Sequence, residues 1–276
     1  MADLPSQVFF PSGFQELFSI WSRFPDAAAC AGGTGFINTQ GQRVPIINPN
    51  IISLDKMEDL RKISRTERYL EIGALVKLNQ IINLGKIVPE ALTRCLLCIA
   101  DPQVRNQASI GGNICFPFHK LDVSAPMVAL DAQYELRTAQ AARWISAARF
   151  SSMPGPSALA DQELLTRIRV PLEPWAFTGY RKFNALDGEG RGAILFIMRN
   201  EKNILTNIRV VYSGKTILRE KNSETMFLGK RLPVSRKDAD AFAECWRNYL
   251  SGMKEMELTK SRIINFIKTM LRQISD

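Results

Sequence analysis

Apolar residues recur at helical spacing near the start of the chain, where Phe14, Leu17, Phe18 and Trp21 fall at i, i+3, i+4 and i+7. That spacing predicts one face of an amphipathic helix, with Ser12 as its N-cap. The small apolar run Ala27-Ala28-Ala29-Cys30-Ala31 predicts a buried strand ending in a glycine loop. Val44-Pro45-Ile46-Ile47 is a second short apolar run, closed by Asn48-Pro49-Asn50. Tyr69 to Gly73 alternates like a strand, and Leu78, Ile81 and Ile82 predict a short helix ended by Gly85. Pro89 opens a helix through about Ile99, Ala125–Leu130 is a further helix, and Tyr134–Leu136 is a strand. Ser151 to Ser157 is a loop, Glu163 to Val170 a strand, and the prolines at 171 and 174 mark a domain boundary.

Beyond that boundary the pattern changes. Ile194 to Met198 and Ile204 to Tyr212 are β-rich runs joined by Asn200-Glu201-Lys202-Asn203, a hairpin signal. Lys215 to Arg219 is a candidate third strand. Helices are predicted over Ser235–Leu250 and Leu258–Ile274. There is no internal repeat and no low-complexity tract.

Composition is that of an ordinary globular protein, with 276 residues, 46% hydrophobic and 23% charged. No apolar run approaches the ~18 residues of a membrane helix. The opening MADLPSQVFFPSGF lacks a basic segment followed by an apolar one, so no signal peptide is expected. The five cysteines, Cys30, Cys95, Cys98, Cys115 and Cys245, are an odd number scattered through apolar segments. They predict reduced thiols in a cytoplasmic protein. Net charge is +9, with 19 Lys and Arg against 12 Asp and Glu from Glu173 onward and 17 against 15 before it. The basic C-terminal part suits an acidic partner, a nucleic acid or solvated helix faces. It carries no nucleic-acid-binding signature, so no nucleic acid is expected.

Two glycine-rich stretches carry the chemistry. Ala31-Gly32-Gly33-Thr34-Gly35 and Ser109-Ile110-Gly111-Gly112-Asn113 lie about eighty residues apart. Adjacent glycines let the backbone turn and expose its N–H groups. Two such loops, each with a hydroxyl residue, could grip an extended anion such as a dinucleotide pyrophosphate. Gly33-Thr34-Gly35-Phe36-Ile37-Asn38 partly mimics the G-x-G-x-x-G of the Rossmann fold, but lacks the third glycine and a following apolar-periodic helix. There is no P-loop. Cys95-x-x-Cys98 has no second pair, and fits core packing better than redox or metal chemistry. His119 is the single histidine, which argues against a Ser-His-Asp hydrolase. A ligand cradle with so few proton-transfer groups suggests that a cofactor supplies the chemistry.

In this order and spacing the motifs resemble the FAD-binding subunit or domain of the molybdenum hydroxylases, the xanthine dehydrogenase and carbon monoxide dehydrogenase family. That family is built on the p-cresol methylhydroxylase (PCMH) flavin fold. An AGGT-type loop is matched by Ala31 to Thr34, and a VRN-x-A-[ST]-IGGN stretch by Val104 to Asn113. Asp122 and Ala129-Leu130-Asp131-Ala132, then Leu164–Pro171, Tyr180–Phe183, Ile208–Gly214 and Ile217–Gly229 extend the likeness over nearly the whole chain.

The resemblance implies an α+β fold. A two-subdomain FAD-binding domain would span residues 1–172, divided at about residue 55. A small domain of a three-stranded antiparallel sheet with helices would span 173–276. The resemblance also implies that Ala29, Cys30, Ala31, Gly32, Gly33, Thr34, Gly35 and Phe36 wrap the FAD pyrophosphate, with Ser109, Gly111, Gly112 and Asn113 completing a second loop. Asp122 would accept hydrogen bonds on the adenosine side of FAD; its alternative is a helix N-cap. Leu165 would pack near the cofactor, or is a plain core leucine. Lys182 would lie near the flavin end, or is a surface lysine. The implied function is an electron-transfer subunit with non-covalent FAD. Electrons would come from a [2Fe-2S] small subunit served by a molybdopterin large subunit, and pass to NAD+ or another acceptor. The chain lacks the cysteine sets for iron–sulfur ligation, so both partners would be separate polypeptides. The alternatives are a stand-alone FAD oxidoreductase of the same fold and a flavin-free scaffold. The glycine-rich stretch Asn184 to Gly192 departs from the Arg and Asp that often follow the lysine in family dehydrogenases.

Overall fold

The computed structural model describes residues 7–40, 48–116, 122–152, 159–183, 192–253 and 257–274, with the side chains of 38–40 left aside. Val44–Ile47, His119, most of the 151–157 loop and the 184–191 stretch lie outside the described residues. The chain forms two compact units that interleave in sequence. The first takes Met1–Val88, Ile99–Phe118 and Asp131–Leu172; the second takes Pro89–Cys98, His119–Leu130 and Glu173–Asp276. Two segments that precede Glu173 in sequence therefore belong to the second unit.

The first unit holds two sheets. Three short parallel strands, β1 (Gln7–Phe9), β2 (Ala28–Cys30) and β3 (Asn50–Ser53), lie in the order β1-β3-β2. The predicted helix is present as Phe14–Arg23 and buries Leu17, Phe18, Ile20 and Trp21. Its apolar stripe packs with Ile52, Leu54, Met57 and Leu60. Each fully buried side chain of this size contributes about 1.5–3 kcal/mol. Trp21 also donates its indole N–H to Ala27 O at 2.7 Å, so the ring is buried at no polar cost. Gly13, not Ser12, is the N-cap; Ser12 instead donates its N–H to the Glu16 carboxylate at 2.8 Å. The strand at Ala28–Cys30 is not the buried one expected. It is an edge strand whose Ala28 and Ala29 are exposed, because β3 is the central one.

The second sheet is antiparallel, in the order β4 (Ile63–Arg65), β5 (Tyr69–Gly73), β8 (Leu164–Pro171), β6 (Gln133–Arg137), β7 (Ala142–Ser146). Leu70, Ile72, Ile168, Val170, Tyr134 and Leu136 point to the buried face. The opposite face carries a ladder of charge, in which Glu71 accepts from Arg169 and Arg167, and Thr166 donates to Glu135 at 2.6 Å.

The second unit is built on an antiparallel sheet of four strands where three were expected: β9 (Phe177–Phe183), β10 (Gly192–Glu201), β11 (Ile204–Ser213) and the two-residue β12 (Ile217–Leu218). The additional strand is the Tyr180–Phe183 segment and its lead-in, whose mixed residues show no clean alternation. The predicted hairpin is present. Lys202 and Asn203 adopt φ 48° and 62°, the pair of left-handed residues that a tight two-residue turn requires. Helices Arg236–Ser251, capped by the Ser235 hydroxyl, and Glu257–Gln273 bury Phe242, Trp246, Ile263, Phe266 and Ile267 with Phe196, Ile208 and Val210 of the sheet. Gly179 allows the closest approach, since a Cβ there would sit 2.1 Å from the Met270 sulfur. The helices Glu90–Leu97 and Ser124–Ala129 also belong to this unit and contact β9, β10 and β11.

Candidate functional site

In the first unit the two glycine stretches meet. A Cβ on Gly32 would lie 2.0 Å from Gln107 O, two residues before Ser109. Only glycine lets the first loop rest on the backbone that leads into the second. The Gln107 carbonyl also accepts a hydrogen bond from Lys77 Nζ at 2.8 Å. Burial, aided by Arg61, pulls the Lys77 ammonium below its ordinary pKa, while Asp55 opposes this. Gly33 has φ 67° and reverses the chain at the end of β2.

A seven-residue helix, Thr34–Gln40, then begins, where the sequence showed no apolar period. Its apolar residues are few and Phe36 and Ile37 are exposed, so no stripe marks it. Among the described residues, the N–H groups of Gly32, Gly33, Thr34 and Gly35 donate to no carbonyl. They form an open row of donors, the arrangement that binds an anion. Gly35 faces the Phe116 ring, where a Cβ would lie 2.9 Å from two ring carbons. Cys30 is half-buried beneath the loop; burial and then Asp55 push its thiol above the ordinary value.

The second stretch is not an open turn with free donors. Residues Ile110–Ile114 form one short helix turn, and its N–H groups are consumed locally. Gly111 donates to Ala74 O at 2.8 Å, Gly112 to the Ser109 hydroxyl at 3.1 Å, and Asn113 to Ser109 O at 3.0 Å. Gly111 is required by packing, since a Cβ would sit 2.7 Å from Ala74. Gly112 is the exposed member of the turn. Asn113 is 9% exposed and its side-chain oxygen has no hydrogen-bond partner among the described residues, an acceptor available to a ligand hydroxyl. Leu165 is buried in β8 opposite Leu136, within the sheet core.

Asp122 and Lys182 lie in the second unit and form an ion pair at 2.8 Å, with side chains 14% and 30% exposed. Lys182 also reaches Cys98 O at 3.4 Å. Val123, not Asp122, occupies the N-cap position of the Ser124–Ala129 helix, so the cap alternative fails. An ion pair this short also puts both groups at one place, so they cannot serve opposite ends of an extended dinucleotide.

Behind the pair sit Cys95, fully buried, and Tyr180, two residues from Lys182 on the same strand face. Burial, reinforced by Asp122, raises the Cys95 thiol well above its usual value; burial and then Cys95 and Asp122 raise the Tyr180 hydroxyl. Cys98 is exposed and, among the described residues, no group of His, Cys, Asp and Glu could hold a metal ion. No helix among them is long and apolar enough to cross a membrane. Lys77 escaped the sequence reading because it lies in no motif, and Gln107 because it is only the variable position of the second one; the three-dimensional approach of the loops is what brings them in.

Comparison with known proteins bears on this geometry. A family model described as the FAD binding domain in molybdopterin dehydrogenase matches residues 4–173. The xanthine dehydrogenase FAD-binding subunit of Escherichia coli O157:H7 is 24% identical over 260 residues, covering 91% of this chain and 88% of that protein. The carbon monoxide dehydrogenase medium chain of Hydrogenophaga pseudoflava is 28% identical over 228 residues, covering 79% and 78%. In fold, the chain superposes on a chain of the Hydrogenophaga pseudoflava carbon monoxide dehydrogenase crystal structure with a TM-score of 0.81 at 22% identity, covering 99% and 97%. A chain of quinoline 2-oxidoreductase from Pseudomonas putida 86 gives 0.80 at 17% identity, covering 100% and 97%.

Proposed function

Because the chain belongs to the family of FAD binding domains in molybdopterin dehydrogenases, we propose that it carries electrons within a molybdenum hydroxylase-type complex. In this reading a partner chain holds the molybdopterin, a second holds a [2Fe-2S] cluster, and the terminal acceptor is NAD+ or another oxidant. The observation that carries the reading is the meeting of the two glycine loops through Gly32 and Gln107. Among the described residues, the N–H groups of the first loop donate to no carbonyl, and Asn113 Oδ1 is a buried side-chain acceptor without a hydrogen-bond partner.

The residues present fit FAD. Gly32, Gly33, Thr34 and Gly35 would hold the pyrophosphate through backbone N–H groups. Asn113 would accept from a ligand hydroxyl. Lys77, held on Gln107 O, keeps a positive charge beside the loop without occupying it. Asp122 and Lys182 would act together at one part of the cofactor, the carboxylate fixing the ammonium in place. Bound FAD supplies the exchange between single electrons from an iron–sulfur partner and an electron pair for an acceptor. This chain contributes binding, orientation and the charge around the cofactor.

The visible spectrum of the purified protein, before and after incubation with FAD and desalting, tests this. Retained flavin bands, released as free FAD on denaturation, are expected. A folded protein that takes up no flavin, alone or with its partner chains, would refute the reading and favour a scaffold. Flavin reduction by a substrate without any partner would favour a stand-alone oxidoreductase.

A further inference from the structure

The basic excess of the C-terminal half has a location that flavin binding does not use. In the second unit the helices Arg236–Ser251 and Glu257–Gln273 leave an open groove on their solvent side. One end is a cavity of about 600 Å3 lined by Arg236, Asp240, Lys268 and Arg272 over Val234 and Ala239. The other, about 680 Å3, runs past Arg247 and Lys260 over Leu250 and Ile264. Lys268 lines both, so the two ends of the groove adjoin at that side chain.

Two of the three cations at the second end are neutralised. Arg247 pairs with Glu244, and Lys260 with Glu257. Arg236, Lys268 and Arg272 have no ion pair and no side-chain hydrogen bond among the described residues, although Asp240 lines the same cavity. Arg236 and Lys237 also occupy the first turn of their helix, the positive end of its dipole, where a cation is unfavourable and an anion is favoured. Lys268 and Arg272 come from the C-terminal part of the other helix, so three unpaired cations gather at one cavity, where an anionic ligand would find complementary charge.

The shape selects among anions. Helices of 16 and 17 residues make a groove far longer than one phosphate, at about 1.5 Å per residue. No lining residue is aromatic, so bases would find nothing to stack on. An acidic polypeptide meets both conditions: its carboxylates match the guanidinium forks, and its apolar side chains would rest on Val234, Leu250 and Ile264 between the groove's own acids Asp240, Glu244 and Glu257.

We infer that this groove docks an acidic segment of a partner polypeptide, with carboxylates on Arg236, Lys268 and Arg272. The inference does not depend on the flavin reading.

Fluorescence anisotropy of a labelled oligo-glutamate peptide with the full chain tests it. The triple variant R236E/K268E/R272E lowers the net charge from +9 to +3, as does a control, R65E/R68E/K86E, at exposed positions of the first unit. The groove variant should weaken peptide binding about tenfold or more, and the control little, with affinity falling steeply as salt rises. The neutral variant R236Q/K268Q/R272Q, with an unchanged melting temperature, separates lost binding from lost folding and should also weaken it. Equal weakening by groove and control variants would overturn the inference, because the attraction would then be one of net charge. Tighter binding of an oligothymidine than of the peptide, lost in the groove variant, would overturn it in favour of nucleic acid.

Discussion

Gly32→Ala puts the meeting of the two loops under test. The added methyl carbon would stand 2.0 Å from Gln107 O and 2.8 Å from its carbonyl carbon. The obstacle is backbone, and that carbonyl is itself held by Lys77 at 2.8 Å, so neither side yields by a rotamer change. Forcing a methyl into a packed site costs about 1–3 kcal/mol, and a backbone obstacle puts this substitution at the upper end. At about 2–4 °C per kcal/mol for a domain of this size, the melting temperature should fall by roughly 6–12 °C. Gly33→Ala supplies the contrast. No atom lies within 4 Å of its Cβ, but its φ of 67° is left-handed. It should cost only about 1–2 kcal/mol. Thermal melts by circular dichroism, with and without FAD, read the stability; flavin retained after desalting reads the site. Gly32→Ala should lose both, and Gly33→Ala should lose less stability. A Gly32→Ala protein that melts with the wild type and retains full flavin would refute the close approach of the loops.

Three further outcomes are expected. Arg143→Ala strips the bidentate partner from Glu163, whose side chain is 2% exposed. Among the described residues the Ala160 N–H still donates to that carboxylate, and denaturant titration should show a loss of about 2 kcal/mol. Thr178→Val removes a hydroxyl that, among the described residues, has no hydrogen-bond partner, from a residue 4% exposed; stability should hold or rise by up to about 1 kcal/mol, and a clear fall would show that the hydroxyl is satisfied. Glu220 concerns pH. Burial raises its pKa, but the N–H groups of Ser223 and Asn222 and the Cys245 thiol outweigh this, leaving it below its ordinary 4.5. A depressed folded pKa means stability that is complete above about pH 4.5 and drains as pH falls through the folded value. The stability gap between wild type and Glu220→Gln, measured by urea melts, should therefore be widest near neutrality and close in acid. A gap that widens in acid would reverse the sign of the reasoning.

What could be read from the sequence followed the strength of each local signal. The helices Phe14–Arg23, Arg236–Ser251 and Glu257–Gln273 declare themselves through long apolar periods, and the β10–β11 hairpin through its turn. Strands of three to five residues with exposed side chains, such as Gln7–Phe9, Ile63–Arg65 and Ala142–Ser146, carry too little alternation to be seen. Ala28–Cys30 was visible as a strand, but its place at the sheet edge depends on Asn50–Ser53 taking the centre. At the site, both glycine stretches were legible because glycine is restrictive by its absence of side chain. Their different jobs were not. One leaves its donors open and the other spends them on Ala74 and Ser109, a distinction fixed by neighbours remote in sequence. Asp122 and Lys182 were singled out separately through the family resemblance, whereas their pairing required the sheet.

The interleaving of the two units bears on how the polypeptide is made. The helices Glu90–Leu97 and Ser124–Ala129 leave the ribosome well before β9, β10 and β11, the strands they pack against. Until those strands arrive, Leu92, Cys95, Leu96 and Met127 have only the two helices' mutual contact to cover them within their own unit. Synthesis therefore passes through a stage at which chaperone capture competes with folding. A gene fragment beginning at Glu173 would meet the complementary problem, because its sheet would emerge with one face bare. The second unit is thus not a portable module, and exchange between relatives that cut the gene at that point would separate a sheet from its cover.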